Sequence, residues 1–193
     1  VISMIIFGYY IYMKYNNNTT TDKEEVENRF NLMSEKIRLL QVIPSLDSGG
    51  AEKGTLDIAK GICNSGNASF VTSNGGRLLS YLLKSGTKHI KLPVHSKNPF
   101  VMYKNIWKIK NIINENKINI VHTRSRAPAW TVYYAKKNKK IKLVSTFHNV
   151  YNSTNLVKKF YNSGLGRADS IIAISNFFKN KIIKLYNIPE KKI

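Results

Sequence analysis

The chain has 193 residues, 42% of them hydrophobic and 11% aromatic, which suits one ordinary domain with a real core and excludes a disordered chain. Its formal net charge of +20, from 31 Lys and Arg against 11 Asp and Glu, calls for an anionic partner such as a membrane surface, a phosphorylated substrate or a nucleic acid. The single cysteine, Cys63, excludes an internal disulfide framework and a cysteine metal cluster.

Residues Val1 to Met13 are nearly all apolar, but the run is shorter than the roughly 20 residues a bilayer span needs. Asn16 to Arg29 reads as a polar linker, and Asp22, Glu24, Glu25, Glu27 and Glu35 gather five of the acids before Lys36. Residues 1–32 are therefore expected to be a non-core extension, with Met33 as the natural start, and 37–193 to be the folded domain. Leu39, Leu40, Val42 and Ile43, with Ile37 at their head, form a buried strand that Pro44 stops. Asp47 or Ser48 is expected to cap the next helix, Gly49-Gly50 to let a ligand approach the backbone, and Ala51 to Ile62 to be helical.

The alternation continues along the chain. Strands are expected at Ala68–Ser73, His89–Val94, Ile118–Thr123, Ile141–Phe147 and Ser170–Ser175. Helices are expected at Leu78–Ser85, Val101–Asn116, Ala127–Lys137, Leu156–Asn162 and Phe177–Tyr186. Asn74-Gly75-Gly76 reads as a turn, Asn138-Lys139-Lys140 as a solvated turn, and Ser163-Gly-Leu-Gly166 as a helix-ending turn. Leu79, Leu82 and Leu83 are placed on one buried face, Cys63 inside, and Trp107 against the sheet. Regular alternation with right-handed crossovers predicts an α/β fold: a doubly wound, mainly parallel Rossmann-like sheet of order 3-2-1-4-5-6, with helices on both faces.

That topology carries several polar residues to one rim, because ligands of such sheets bind beyond the carboxyl ends of the strands where the winding reverses. The first strand ends in Gly49-Gly50, and the helix after it offers unpaired N–H groups and a positive dipole end to a phosphate. The fourth ends in His122-Thr123-Arg124-Ser125-Arg126, whose two guanidiniums suit a phosphate clamp. The fifth ends in Thr146-Phe147-His148-Asn149. The sixth ends in Ser175, which either binds substrate or caps the next helix through Phe178 or Lys179. His122 is expected either at the site or inside the strand end. His89, His95, His122 and His148 show no metal-ligand spacing, so no metal or other cofactor is expected. The G-G-x-x-x-G spacing and the lack of a ribose-binding acid argue against a dinucleotide-dependent oxidoreductase. Lysine dominance without a known binding module argues against nucleic acid as a partner.

Pro44, Leu46, Gly49, Gly50, Ala51 and Glu52 spell P-x-L-x-x-G-G-A-E after the first strand. With I-V-H-T-R-S-R-A-P-A-W at 120–130, V-S-T-F-H-N-V-Y at 144–151 and A-D-S-I-I-A-I-S-N-F at 168–177, the chain resembles the N-terminal, subfamily 4-like domain of the family 4 glycosyltransferases of the GT-B fold. The resemblance implies transfer of a sugar from a nucleotide-sugar co-substrate, with retention of configuration and without a metal, to a glycan or glycolipid acceptor. It also implies lipopolysaccharide or capsule synthesis in the cytoplasm, peripheral to the inner face of the membrane. The first glycine loop of that family approaches the donor diphosphate and a histidine after the fifth strand touches the transferred sugar, roles that fall on Gly49, Gly50 and, as the catalytic residue, His148. Arg124 and Ser175 are carried to acceptor or phosphate contact, while Arg126 and His122 are substrate or phosphate candidates from their place on the rim.

The family's C-terminal domain, whose E-x7-E segment binds the donor nucleotide and sugar, is missing from this sequence, so the chain is expected to be a truncated or split form with little or no activity alone, either a remnant or one half that a separate C-terminal half completes. The competing expectation is a non-catalytic basic module that binds an anionic membrane surface.

Overall fold

Strand-length apolar runs, each followed by a helix, leave each strand's backbone groups to pair only with a neighbour running the same way. In the computed structural model, which describes residues 36–137, 140–151 and 155–193, the chain forms a six-stranded parallel sheet in the order β3-β2-β1-β4-β5-β6. The predicted order therefore holds. The extension at 1–32, the start at Met33 and most of the turn at 138–140 lie outside the described residues.

The strands are β1 (Arg38–Val42), β2 (Ala68–Ser73), β3 (Lys88–Lys91), β4 (Ile120–Thr123), β5 (Lys142–Phe147) and β6 (Ser170–Ala173). The helices are α1 (Gly50–Asn64), α2 (Leu79–Lys84), α3 (Pro99–Glu115), α4 (Arg126–Ala135), α5 (Leu156–Asn162) and α6 (Asn176–Tyr186), with a 3-10 turn at Ser163–Arg167 where the helix-ending turn is expected. Helix α3 begins two residues early because Asn98 accepts from the Phe100 N–H and Pro99 takes the first helical position. The third strand ends at Lys91, short of the expected Val94.

Period-two alternation sorts the strand side chains between two cores. Leu40 and Val42 of β1 join Val121, Leu143 and Ile109 in the larger cluster, whereas Val71 joins Ile43, Leu46, Ala59 and Leu82 in the smaller one. Fully buried Val and Leu side chains of this kind contribute about 1.5–3 kcal/mol each.

Three sequence expectations are corrected. Trp107 lies 52% exposed on the outer face of α3, not against the sheet, because Ile109, Ile112 and Ile113 fill the buried face of that helix. Leu83 is exposed, since the short α2 buries only Leu82. Cys63 is only partly buried, with its Sγ 3.5 Å from the Thr87 hydroxyl.

Two loops at the carboxyl end of the sheet are stitched together by backbone. The Leu46 N–H donates to the Gly75 carbonyl at 2.8 Å, the Leu78 N–H to the Leu46 carbonyl at 2.7 Å, and the Asn74 N–H to the Pro44 carbonyl at 3.1 Å. Gly76 fits because a Cβ there would lie 2.6 Å from the Leu46 oxygen.

Candidate functional site

Residue Gln41 interrupts the apolar run of β1, and alternation points it away from Leu40 and Val42, toward α1. Its amide is fully buried, and Nε2 donates to the Thr55 carbonyl of α1 at 2.9 Å. The amide oxygen left over accepts from Arg124 Nη2 at 3.2 Å. Arg124 follows β4, is 8% exposed, and reaches His148 Nε2 through Nη1 at 3.4 Å. Its Nε is buried with no hydrogen-bond partner. Burial lowers the guanidinium to about 10, and Glu52 partly opposes that shift.

His148 follows β5 and is half-buried. Burial first, then the Arg124 charge, pushes its pKa below the ordinary histidine value, against an opposing pull from Glu52. A neutral ring whose Nε2 accepts from Arg124 fits both observations. His122 lies inside β4, completely buried, with Nε2 2.8 Å from the Thr146 hydroxyl. Burial holds it well below its ordinary pKa, with Arg124 and His148 adding to the effect. Of the two expectations for His122, the strand interior is the observed place.

The Gly49-Gly50 turn opens α1, with Gly49 as N-cap and no side-chain cap bond, so neither Asp47 nor Ser48 caps the helix as expected. The acid that serves this end is Glu52 in the first turn. Its carboxylate folds back so far that a Cβ on Gly49 would lie 2.4 Å from Oε2. Gly50 faces open space, with nothing within 4 Å of the position a Cβ would take.

Arg126 is engaged elsewhere on the same rim. Its Nη1 donates to Asn162 Oδ1 at 2.7 Å, and its guanidinium lies 3.7 Å from the centre of the Tyr151 ring. Asn162 in turn donates to the Tyr151 carbonyl at 3.4 Å. This arrangement pins the segment after His148 to the start of α4. Ser175 is exposed and caps α6, accepting from the Phe178 N–H at 3.3 Å, one of its two expected roles.

Arg124, Arg126, His148, Asn149 and Tyr151 line a recess of about 40 Å³. That volume holds a water or two, not a sugar nucleotide, so this rim is one open wall. A larger cavity of about 330 Å³, between α5 and α6, is lined by Leu156, Phe160 and Tyr186 and by none of the predicted site residues. Among the described residues no group of three or more His, Cys, Asp or Glu side chains gathers.

Sequence reasoning missed Gln41 and gave no role of their own to Glu52 and Thr146. The one available signal was the polar residue in mid-strand at Gln41, which an apolar core tolerates only when its amide is fully bonded.

The sheet order and the helices around it define a Rossmann-like α/β domain, matching the domains from which GT-B glycosyltransferases are built. Residues 48–193 match the model for Glycosyltransferase Family 4, and the chain belongs to that family. A glycosyltransferase from Rickettsia africae is 44% identical, superposes with a TM-score of 0.72, and matches over 82% of this chain and 42% of its own. The lipopolysaccharide outer core galactosyltransferase WaaB (19% identity, TM-score 0.59, 82% and 44% coverage) shares the fold. So does Anabaena HepE, solved with UDP and glucose (15% identity, TM-score 0.59, 79% and 43% coverage). The chain thus spans less than half the length of these structures. None of the curated proteins matches it.

Proposed function

We propose that this chain is the acceptor-side half of a retaining glycosyltransferase that moves a sugar from a nucleotide-sugar to a surface-glycan or lipid-linked acceptor at a membrane face. The observation that carries the reading is Arg124: a buried cation held by a neutral amide, with no carboxylate bonded to it and one N–H unspent. A buried cation with no carboxylate bonded to it, and only the Glu52 charge nearby, is suited to meet an anion that arrives.

In this reading the N–H groups at Gly50 and Ala51 and the Arg124 guanidinium face the donor diphosphate. The bond between the sugar's anomeric carbon and the diphosphate oxygen breaks as the acceptor oxygen bonds to that carbon on the same face. The acceptor proton leaves with the diphosphate. Charge that develops on the leaving oxygen is met by fixed positive groups, which is where an enzyme gains most. His148, neutral and beside Arg124, contacts the transferred sugar. His122, Arg126 and Ser175 serve by holding β4, the segment after β5 and α6 in register.

An open wall cannot exclude water. The 193-residue chain is therefore expected to bind UDP weakly and to turn over no sugar until a second wall is supplied. The test is calorimetric titration with UDP and a panel of UDP-sugars against the parent, Arg124→Met and His148→Ala. Binding that both substitutions weaken supports the reading. No binding, or binding indifferent to Arg124, overturns it.

A further inference from the structure

Tyr151 stands three residues past His148, and its backbone is held from two helices. The Tyr151 N–H donates to the Tyr186 hydroxyl of α6 at 3.3 Å, and that hydroxyl donates in turn to the Tyr151 carbonyl at 2.9 Å. Asn162 of α5 donates to the same carbonyl at 3.4 Å. One face of the ring is held too. The Arg126 guanidinium lies over it, 3.7 Å from its centre, and is itself fixed by Asn162 Oδ1 at 2.7 Å. The rest of the ring is not covered. Tyr151 is 38% exposed, it lines the recess beside His148 and Asn149, and its own hydroxyl bonds none of the described residues. A pin between two segments needs only the stacked guanidinium. It needs neither a phenol in place of a plain ring nor an open face at the recess.

A ring already fixed in place, with few torsions left to freeze, suits a flat ligand that has an apolar face and a polar edge. A pyranose has that shape, with C–H bonds on its faces and hydroxyls around its edge. Place decides which sugar this would be. The Gly49-Gly50 corner follows β1, Arg124 and His148 follow β4 and β5, and Tyr151 is bonded to α5 and to the helix after β6. The ring therefore lies across the Arg124–His148 pair from the corner that faces the diphosphate in the reading above. We propose that Tyr151 is the platform on which a pyranose ring of the acceptor stacks, apolar face against the side away from Arg126 and hydroxyls toward the phenol oxygen. The acceptor is then a glycan, not a bare lipid phosphate. Assigning the ring to the acceptor rests on the reading of the rim given above; the stacking itself does not.

The test uses the full chain, without nucleotide, and methyl glycosides of glucose, galactose, mannose and N-acetylglucosamine, read by saturation-transfer NMR. Sorbitol, with as many hydroxyls and no ring, is the control. At least one pyranoside is expected to bind in the millimolar range, with the C–H protons of one face taking most of the saturation, and sorbitol is expected not to bind. Tyr151→Phe keeps a flat ring and should bind within ~3-fold of the parent, whereas Tyr151→Leu fills the place without one and should lose ~10-fold or more. A further readout does not depend on how well the leucine variant folds. In protein labelled on its tyrosine rings, the sugar's C–H protons should show contacts to a tyrosine ring that vanish in Tyr151→Phe although binding persists. No pyranoside binding, binding unchanged in a folded Tyr151→Leu, or tyrosine contacts that survive in Tyr151→Phe overturns the proposal. Displacement of the pyranoside by UDP would assign the platform to the nucleobase, and displacement by UDP-glucose alone to the transferred sugar; each also overturns it. UDP binding indifferent to Arg124→Met, with pyranoside binding intact, would instead sink the reading of the rim and leave the stacking in place.

Discussion

Arg124 is held by Gln41, a neutral amide reaching from β1, and the same amide is anchored through its nitrogen to the Thr55 carbonyl of α1. One side chain thus ties the first strand, the first helix and the buried cation together without cancelling its charge. A carboxylate in place of Gln41 would have stabilised the guanidinium more and left nothing for an incoming anion.

Arg124→Met separates stability from binding. Removing a buried charge that no carboxylate binds, while keeping the volume, is expected to leave the urea midpoint level or raise it, because the remaining losses are two neutral acceptors, the Gln41 amide oxygen and a ring nitrogen of the half-buried His148. UDP binding should fall below detection in the same protein. A loss of more than ~2 kcal/mol in stability would mean that Arg124 is there to hold the fold.

The two glycine pairs answer differently. Gly50→Ala meets open space and sits in the first turn of α1, so stability should hold or rise by about 0.5–1 kcal/mol, while UDP binding weakens if backbone approach matters. Gly76→Ala drives a Cβ to within 2.4–2.8 Å of the Leu46–Asp47 backbone, at a φ of +146°, and should cost about 1–3 kcal/mol. Denaturant titration of both variants checks the contrast.

Glu52 lies over the end of α1 where a phosphate is expected to come. Its negative charge competes with the ligand, so Glu52→Gln should tighten UDP binding by about three-fold or more, by calorimetry at low salt. Weaker binding in that variant would instead make the carboxylate part of the ligand contact.

Folding should be acid-sensitive. Burial keeps His122 well below the ordinary value of 6.5, and His148 is lowered too. As pH falls through about 6.5 the unfolded chain takes up protons that the folded one declines, so stability is full above that value and is lost progressively below it. Urea midpoints measured from about pH 7.5 to about pH 5.5 should fall, with a shallower slope in His148→Gln.

Strand order, the rim and the order of the motifs were legible in the residues, because alternating β and α runs with right-handed crossovers leave few topologies open. What stayed hidden needed distances between residues far apart in sequence. Arg126 reads as a second phosphate clamp until Asn162 and Tyr151 are seen to hold it. Trp107 fits an apolar helical pattern as well as Ile106 does, and only the packed isoleucines show which side is inward. His122 and His148 each follow or close a strand, yet one is sealed beside Thr146 and the other stands at the edge of the recess.

The stitching between the Pro44–Asp47 and Asn74–Leu78 segments bears on the thermodynamics of whatever binds there. A corner already fixed by three main-chain bonds has little freedom left to surrender on contact. Ligands of increasing rigidity should then differ in affinity by their own torsional entropy alone, and the protein's amide exchange around Leu46 should be nearly as slow in the empty chain as in the occupied one.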